Sequence, residues 1–437
     1  MAMDARQKAS AVDSASETHA SPARATWLGL RAFNFFAASL QTGYGPFLPV
    51  YLTRAGWTQG QVGLALSVGS IAGVVSQVPA GLLIDQMPQR RLACAVALGA
   101  LAVGMLILAF MPGFVPVLGV EVLHGFAAAM LAPAIAALTL SLGGRQAFGE
   151  HVGRNQRYAS LGTALAAALL GLVAWHLSIR AAFLLAGFMA LPAALCLLWI
   201  RPPVIPPPAL AEHPAMLHPA ARDSRFWRLF FEMHMHSFAV CVTLFTLANA
   251  AMLPLALNAL AQRHREATIA TTGSIIALQA VVVVLAPWLG HAAERWGRRP
   301  VLVAGFACLV LRALLLSTAP GAIPLIGIEL LDGAAAATMG VMIPLVAADL
   351  TERTGYLNLA IGSFGLAGSL GATFSTTVAG WIADHYGLAT AFYALALPAV
   401  LGIAIILFIM PETRPATRAP GPGRASLGDP KATSGRA

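Results

Sequence analysis

Twelve stretches of this chain are each long and apolar enough to cross a bilayer as a helix, and they dictate what it can fold into. A membrane core of about 30 Å takes about 20 residues at the helical rise. Runs of that kind fall near 27–52, 60–84, 92–111, 114–142, 157–177, 179–200, 237–260, 268–289, 300–318, 321–348, 357–382 and 387–410. Inside lipid every peptide N–H and C=O must be satisfied within the protein, which leaves helices or a closed barrel. Barrel strands read as alternating segments of about ten residues, whereas these runs are long and continuous. The expected fold class is therefore all-α: a polytopic membrane protein with 12 transmembrane helices. Composition agrees, with 58% hydrophobic and 10% charged residues against about 25% charged in a soluble chain.

The net charge of +9 would suit nucleic acid if the basic residues formed one face or groove. They lie instead in short segments between apolar runs, so no nucleic-acid partner is expected. Their distribution orients the chain: with the N-terminus inside, 21 Lys and Arg fall on the cytoplasmic side, and only Arg54, Arg180, Arg263 and Arg265 fall outside. Basic loops stay cytoplasmic, which predicts both termini there. The first 26 residues are polar and lack the apolar core of a cleaved signal peptide. Cys94, Cys196, Cys241 and Cys308 lie within apolar runs without metal-ligand spacing, so no disulfide framework, zinc site or other metal is expected.

Residues 201–227 contain seven prolines, a composition that favours an extended, solvated connector. The chain is expected to divide there, with a cytoplasmic tail over 1–26, a six-helix bundle over 27–200, the linker over 201–227, a second bundle over 228–410 and a tail over 411–437. Residues Arg225 to His236 have the pattern of an interfacial helix leading into the seventh span.

Duplication shows at a near-constant offset. Pro116, Gly119, Glu121 and Gly125 recur as Pro324, Gly327, Glu329 and Gly333, while Leu161, Gly162, Gly171 and Phe183 recur as Leu370, Gly371, Gly380 and Phe392. Gly81 and Asp85 return as Gly290 and Glu294. Self-similarity over three separate regions means two related six-helix halves.

Between the second and third spans stand Gly81, Leu83, Asp85, Arg90 and Arg91, with Pro88 where a second glycine would complete the pattern G-x-L-x-D-x-x-G-R-[KR]. The repeat between spans eight and nine reads Gly290, Glu294, Arg295, Gly297, Arg298 and Arg299. On these residues and the twelve spans the chain resembles the major facilitator superfamily along essentially its whole length, which implies two pseudo-symmetric bundles that rock about a central site. The motif then acts as a conformational latch: glycine permits close helix approach, and the carboxylates and arginines engage opposite helix ends. A basic turn obeying the positive-inside rule would explain the arginines alone. In the fourth span drug–proton antiporters of the family carry an arginine four residues before a glycine; here Glu121 precedes Gly125. The fifth span also lacks their Gly- and Pro-rich signature. Both departures bear on the antiporter label and leave the transporter label untouched.

Ionisable groups near mid-membrane cost about 3 kcal/mol to insert and are candidate functional residues. Glu121 and His124 share one helical face of the fourth span, Glu329 and Asp332 take the matching positions of the tenth, and Arg312 of the ninth lies at similar depth. That depth predicts an ion pair between Arg312 and Asp332 or Glu329. The third span has no matching arginine, so Glu121 is expected as an unpaired carboxyl that takes up and releases a proton. A structural hydrogen bond to a neighbouring helix is the alternative, and His124 reads more readily as a packed side chain. If the family arrangement holds, spans one, four, seven and ten line the cavity with Asn34, Gln41, Tyr44, His236, Asn249 and Asn258, while Arg31 reaches for the cytoplasmic surface. Pro46, Pro49 and Pro254 are candidate gating bends. The hydroxyls of the eleventh span are expected to bond to their own backbone.

The expected function is a secondary transporter of a small organic solute driven by protons, by efflux, acting as a monomer in the bilayer of a bacterial inner membrane. An uptake symporter or a non-transporting receptor are the alternatives. No catalytic motif or phosphate loop points to an enzyme, and no cofactor is expected.

Overall fold

The computed structural model describes residues 24–42, 48, 51–52, 55–87, 89–145, 147–200, 233–263, 267–318, 321–352 and 354–413. The proline-rich connector, most of both tails, Tyr44, Pro46 and Pro49 lie outside the described residues, as does the Asn258 side chain. In chain order the helices are α1 (Arg24–Thr42), α2 (Gln59–Gln86), α3 (Arg90–Phe110), α4 (Phe114–Gly143), α5 (Phe148–His176), α6 (Ile179–Phe188) and α7 (Ala190–Trp199). The second set is α8 (Met233–Asn249), α9 (Met252–Arg263), α10 (Ala267–Trp296), α11 (Arg298–Leu316), α12 (Ala322–Thr351), α13 (Leu357–Tyr386) and α14 (Leu388–Phe408).

These fourteen helices make twelve spans, because α6 continues into α7 across Met189 and α8 into α9 across Ala250 and Ala251. Eleven are long and apolar enough to cross a membrane over their described residues. The first span is the exception, since α1 is short within those residues and carries Arg24, Arg31, Asn34 and Gln41. Prolines inside α2, α4, α10, α12 and α14 are tolerated because neighbouring helices can take up the freed carbonyls.

Each set of six packs as a bundle, and the two meet chiefly where α2 faces α13 and α5 faces α10. Small residues allow close approach inside each bundle. Gly125 of α4 sits on the backbone of Gly69 and Gly73 in α2, and Gly333 of α12 sits on Leu278 and Val281 of α10. Ala127, Ala335 and Ala337, expected as packing positions, are fully buried. The turns after α2 and α10 differ for a plain reason. Gly297 has φ +99°, a backbone conformation closed to proline, and Pro88 occupies its place in the first repeat.

Candidate functional site: the seam between the halves and the buried charges beside it

The repeated motif lies where the halves touch. Gly81 of α2 sits against the carbonyl of Asn358 in α13, and Gly290 of α10 sits against the carbonyl of Gly149 in α5; a methyl group at either glycine would overlap that backbone. One turn further along, Asp85 accepts hydrogen bonds from the Asn358 N–H (3.1 Å), the Asn358 side-chain amide (2.7 Å) and the Leu359 N–H (2.8 Å). Glu294 accepts from the Gly149 N–H at 2.6 Å. Each half thus supplies a carboxylate to the first turn of a helix in the other, where free N–H groups and the helix dipole favour a negative charge. A second duplicated pair of approaches lies deeper, with Gly362 on the Gln77 carbonyl and Gly153 on the Ala286 carbonyl. Gln77 also donates to Ser369 across the seam (2.8 Å), and Arg157 donates to the Val283 carbonyl (2.7 Å).

The motif arginines act on helix ends. Arg90 donates to the carbonyls of Ile84 and Met87, both at 2.7 Å, and Arg298 donates to that of Ala293 at 2.7 Å. A guanidinium there satisfies the orphan carbonyls of the preceding helix. Arg299 turns to the last turn of α14, donating to Ile406 O at 2.9 Å. Arg91 is partly buried and Arg295 exposed.

Sequence reasoning missed the ion cluster beside this seam. Arg145, in the turn between α4 and α5, pairs with Asp349 of α12, whose carboxylate also holds Arg298 at 2.9 Å and the Thr413 hydroxyl at 3.2 Å. Burial and the neighbouring Arg298 pull the Arg145 guanidinium down to about 10, opposed by Glu352 and Glu294, so it stays charged at neutral pH. Glu412 accepts from the Arg298 and Arg299 N–H groups at 2.8 and 3.2 Å, capping α11. Residues at the ends of spans read from sequence as solvated loop charges, and nothing in their spacing marks these as partners.

The predicted Arg312 pairing is present, and with both acids at once. Nη2 donates to the two Glu329 oxygens at 2.9 and 2.8 Å and lies 3.3 Å from Asp332 Oδ2. Nη1 donates to Asn249 Oδ1, and Asn249 Nδ2 donates to Asp332 Oδ1 at 2.9 Å. Four side chains from α8, α11 and α12 therefore close one network around a fully buried arginine.

Glu121 corrects an expectation. It is buried and not without a partner, and its carboxylate fills the space that Gly69 of α2 leaves, so that a methyl group there would overlap it. The absent arginine has a counterpart in sequence: Gly104 stands 208 residues before Arg312, and Glu121 is turned towards α2. His124 beside it is partly buried and engaged. Asn34 is buried and donates to the Leu30 carbonyl of its own helix at 2.8 Å. Gln41 is partly buried, and His236 is exposed at the first turn of α8. Thr373 and Thr377 bond back along α13, as expected, whereas Ser375 accepts from the Ala251 N–H at the break between α8 and α9 (3.1 Å).

With this architecture in place, comparison with known proteins identifies its class. The family model described as Major Facilitator Superfamily matches residues 31–255 and 238–434. The chain belongs to this superfamily of transporters and is a multi-pass integral membrane protein. It is 36% identical over 392 residues to an uncharacterized MFS-type transporter of Mycobacterium tuberculosis, covering 88% of this chain and 93% of the relative. A tetracycline resistance protein, class B, from Escherichia coli is 33% identical over 146 residues, 32% of this chain and 35% of that one. Among solved structures, the E. coli fucose:proton symporter superposes with a TM-score of 0.71 at 17% identity, covering 87% of this chain and 98% of the symporter.

Proposed function

We propose that the chain is a proton-coupled secondary transporter that expels a small amphipathic organic solute by alternating access. The observation that carries this reading is the exchanged pair of contacts, Gly81 and Asp85 on α13 and Gly290 and Glu294 on α5. They lie together at one end of the bundles and can part as a set, so that this end opens while the opposite end closes. The motif residues, with Arg90, Arg91, Arg295, Gly297, Arg298 and Arg299, form the latch. The bias of basic residues places this end and both termini in the cytoplasm, and composition points to a bacterial inner membrane. The form described here is then the one closed to the cytoplasm.

The coupling residues are drawn from Glu121, His124, Glu329, Asp332 and Arg312. A carboxyl in an apolar surrounding favours its neutral form and can carry a proton as access alternates. Arg312 is bound to Glu329, which leaves a neutral or cationic solute as a better match than an anion. Gln41, Tyr44 and Asn258 are the proposed polar contacts of the cavity. Resemblance to a tetracycline resistance protein supports export, which is how a carrier would confer resistance. The working unit is a monomer.

The test is luminal pH in sealed proteoliposomes without an imposed gradient, with tetracycline and a panel of cationic amphiphiles added outside and empty liposomes as control. Alkalinisation specific to the protein is the expected result and means antiport. Acidification would replace export with symport, and binding of a compound without any pH response would remove proton coupling altogether.

A further inference from the structure

The network around Arg312 has an electrical imbalance. One guanidinium faces two carboxylates, so with both acids ionised the cluster bears one excess negative charge in a place where Arg312 and Glu329 are 0% exposed. The helices packed against α12 bring no second cation to it. The other ionisable residues of α5, α8, α10 and α13 stand towards the ends of those helices, among them Glu150, His236, Glu294 and Asp384. What faces the two acids is Arg312 from α11 and the neutral Asn249 from α8. An unbalanced charge in such a medium is removed by protonation.

The two acids are not equivalent. Glu329 receives two hydrogen bonds from Arg312 Nη2, the arrangement that best holds a carboxylate ionised. Asp332 lies 3.3 Å from the same nitrogen, takes its remaining bond from a neutral amide, and is the acid with exposed surface, its side chain being 8% accessible. The excess proton therefore belongs on Asp332.

Its arrival has a mechanical outlet. Asn249 is the last residue of α8, followed by the break at Ala250 and Ala251, where the Ala251 N–H is held by Ser375 of α13. Neutralising Asp332 weakens the charge-assisted bond from Asn249 Nδ2, freeing one of the two contacts that fix the end of α8. Asn249 is the positioning residue through which the charge on Asp332 reaches the break.

Building on the reading of the chain as a proton-coupled transporter, we infer that Arg312, Glu329, Asp332 and Asn249 form a one-proton site: Asp332 carries the proton, and Asn249 passes its state to the bend in the seventh span. Glu121, packed against Gly69, is then structural.

Infrared titration of the purified full chain in detergent tests this without any knowledge of the solute. The protonated-carboxyl band that appears with falling pH should vanish in Asp332→Asn and persist in Glu121→Gln. Persistence in Asp332→Asn, or loss in Glu121→Gln alone, overturns the assignment. Asp332→Asn leaves Arg312 and Glu329 as a neutral pair, and a single gel-filtration peak establishes that it folds. Replacing sodium with choline should leave the titration midpoint unmoved; a sodium-dependent shift would make this a metal-cation site and overturn the proton assignment. Hydrogen exchange over residues 250–254 at neutral pH should quicken by roughly tenfold or more in Asp332→Asn, as expected for the loss of one charged hydrogen bond, and unchanged exchange would remove Asn249 from the role. If liposomes show proton-coupled flux while the band stays in Asp332→Asn, the site is wrong and the function stands. If the band behaves as expected without flux, the function is wrong and the site stands.

Discussion

Arg145 of the N-terminal half reaches across the seam to Asp349 of the C-terminal half, and the same carboxylate is held from its own side by Arg298 and Thr413. Asp349 is thus anchored within one bundle before it meets the other, so breaking the cross-half pair need not disturb the bundle that carries it. Separation of the halves can proceed with each intact.

Arg145→Gln should therefore leave thermal stability within about 1 kcal/mol of the parent, since Arg298 still pairs with Asp349. It should also shift the chain towards the form open at this end. Spin labels at the exposed positions Gln89 and His291 would report a longer mean distance in the variant. An unchanged distance distribution would show that the pair does not hold the end shut.

Gly81→Ala and Gly290→Ala each place a methyl group on the opposing backbone. Overpacking of this kind costs about 1–3 kcal/mol, here charged only to the closed form, so the closed-to-open ratio should fall by roughly tenfold or more. The same label pair measures it, and solute flux should fall while the melting temperature in detergent changes little.

Removing the buried guanidinium with Arg312→Gln leaves Glu329 and Asp332 without their cation. The loss should be about 3–5 kcal/mol, seen as a marked fall in melting temperature. The double variant Arg312→Gln with Glu329→Gln should recover much of it. Equal destabilisation by the single and double variants would mean that the ion pair is not what the site depends on.

Gly69→Ala tests the setting of Glu121. The added methyl displaces the carboxylate, and the expected cost is about 1–3 kcal/mol. In the background Glu121→Ala, which vacates the same space, the penalty of Gly69→Ala should largely disappear, a coupling that a double-mutant cycle by thermal unfolding would read.

Much of this arrangement was legible in the sequence. The spans follow from run length, and the exchanged contacts at Gly81 and Gly290 follow from an offset that repeats glycine with an acid. Arg312, Glu329 and Asp332 were matched by depth, because a fixed rise per residue turns sequence position into height in the membrane. Azimuth is what depth does not give. Glu121 was expected to be unpaired because no arginine shares its level; that it would turn to α2 depended on the missing side chain of Gly69, one helix away. Asn249 looked like a cavity residue for the same reason, since polarity within a span does not say which neighbour it faces. Asp349, Arg145 and Glu412 were overlooked because charges at span ends ordinarily meet water, and only tertiary packing buries them.

The carboxylates at Asp85 and Glu294 are given away rather than kept: each completes the opening turn of a helix belonging to the other half. A lesion in either repeat is therefore felt by its sibling. Second-site suppressors of damage at Asp85 should be sought around Asn358, and those of damage at Glu294 around Gly149, so that the genetics of the two copies would run crosswise through the duplication.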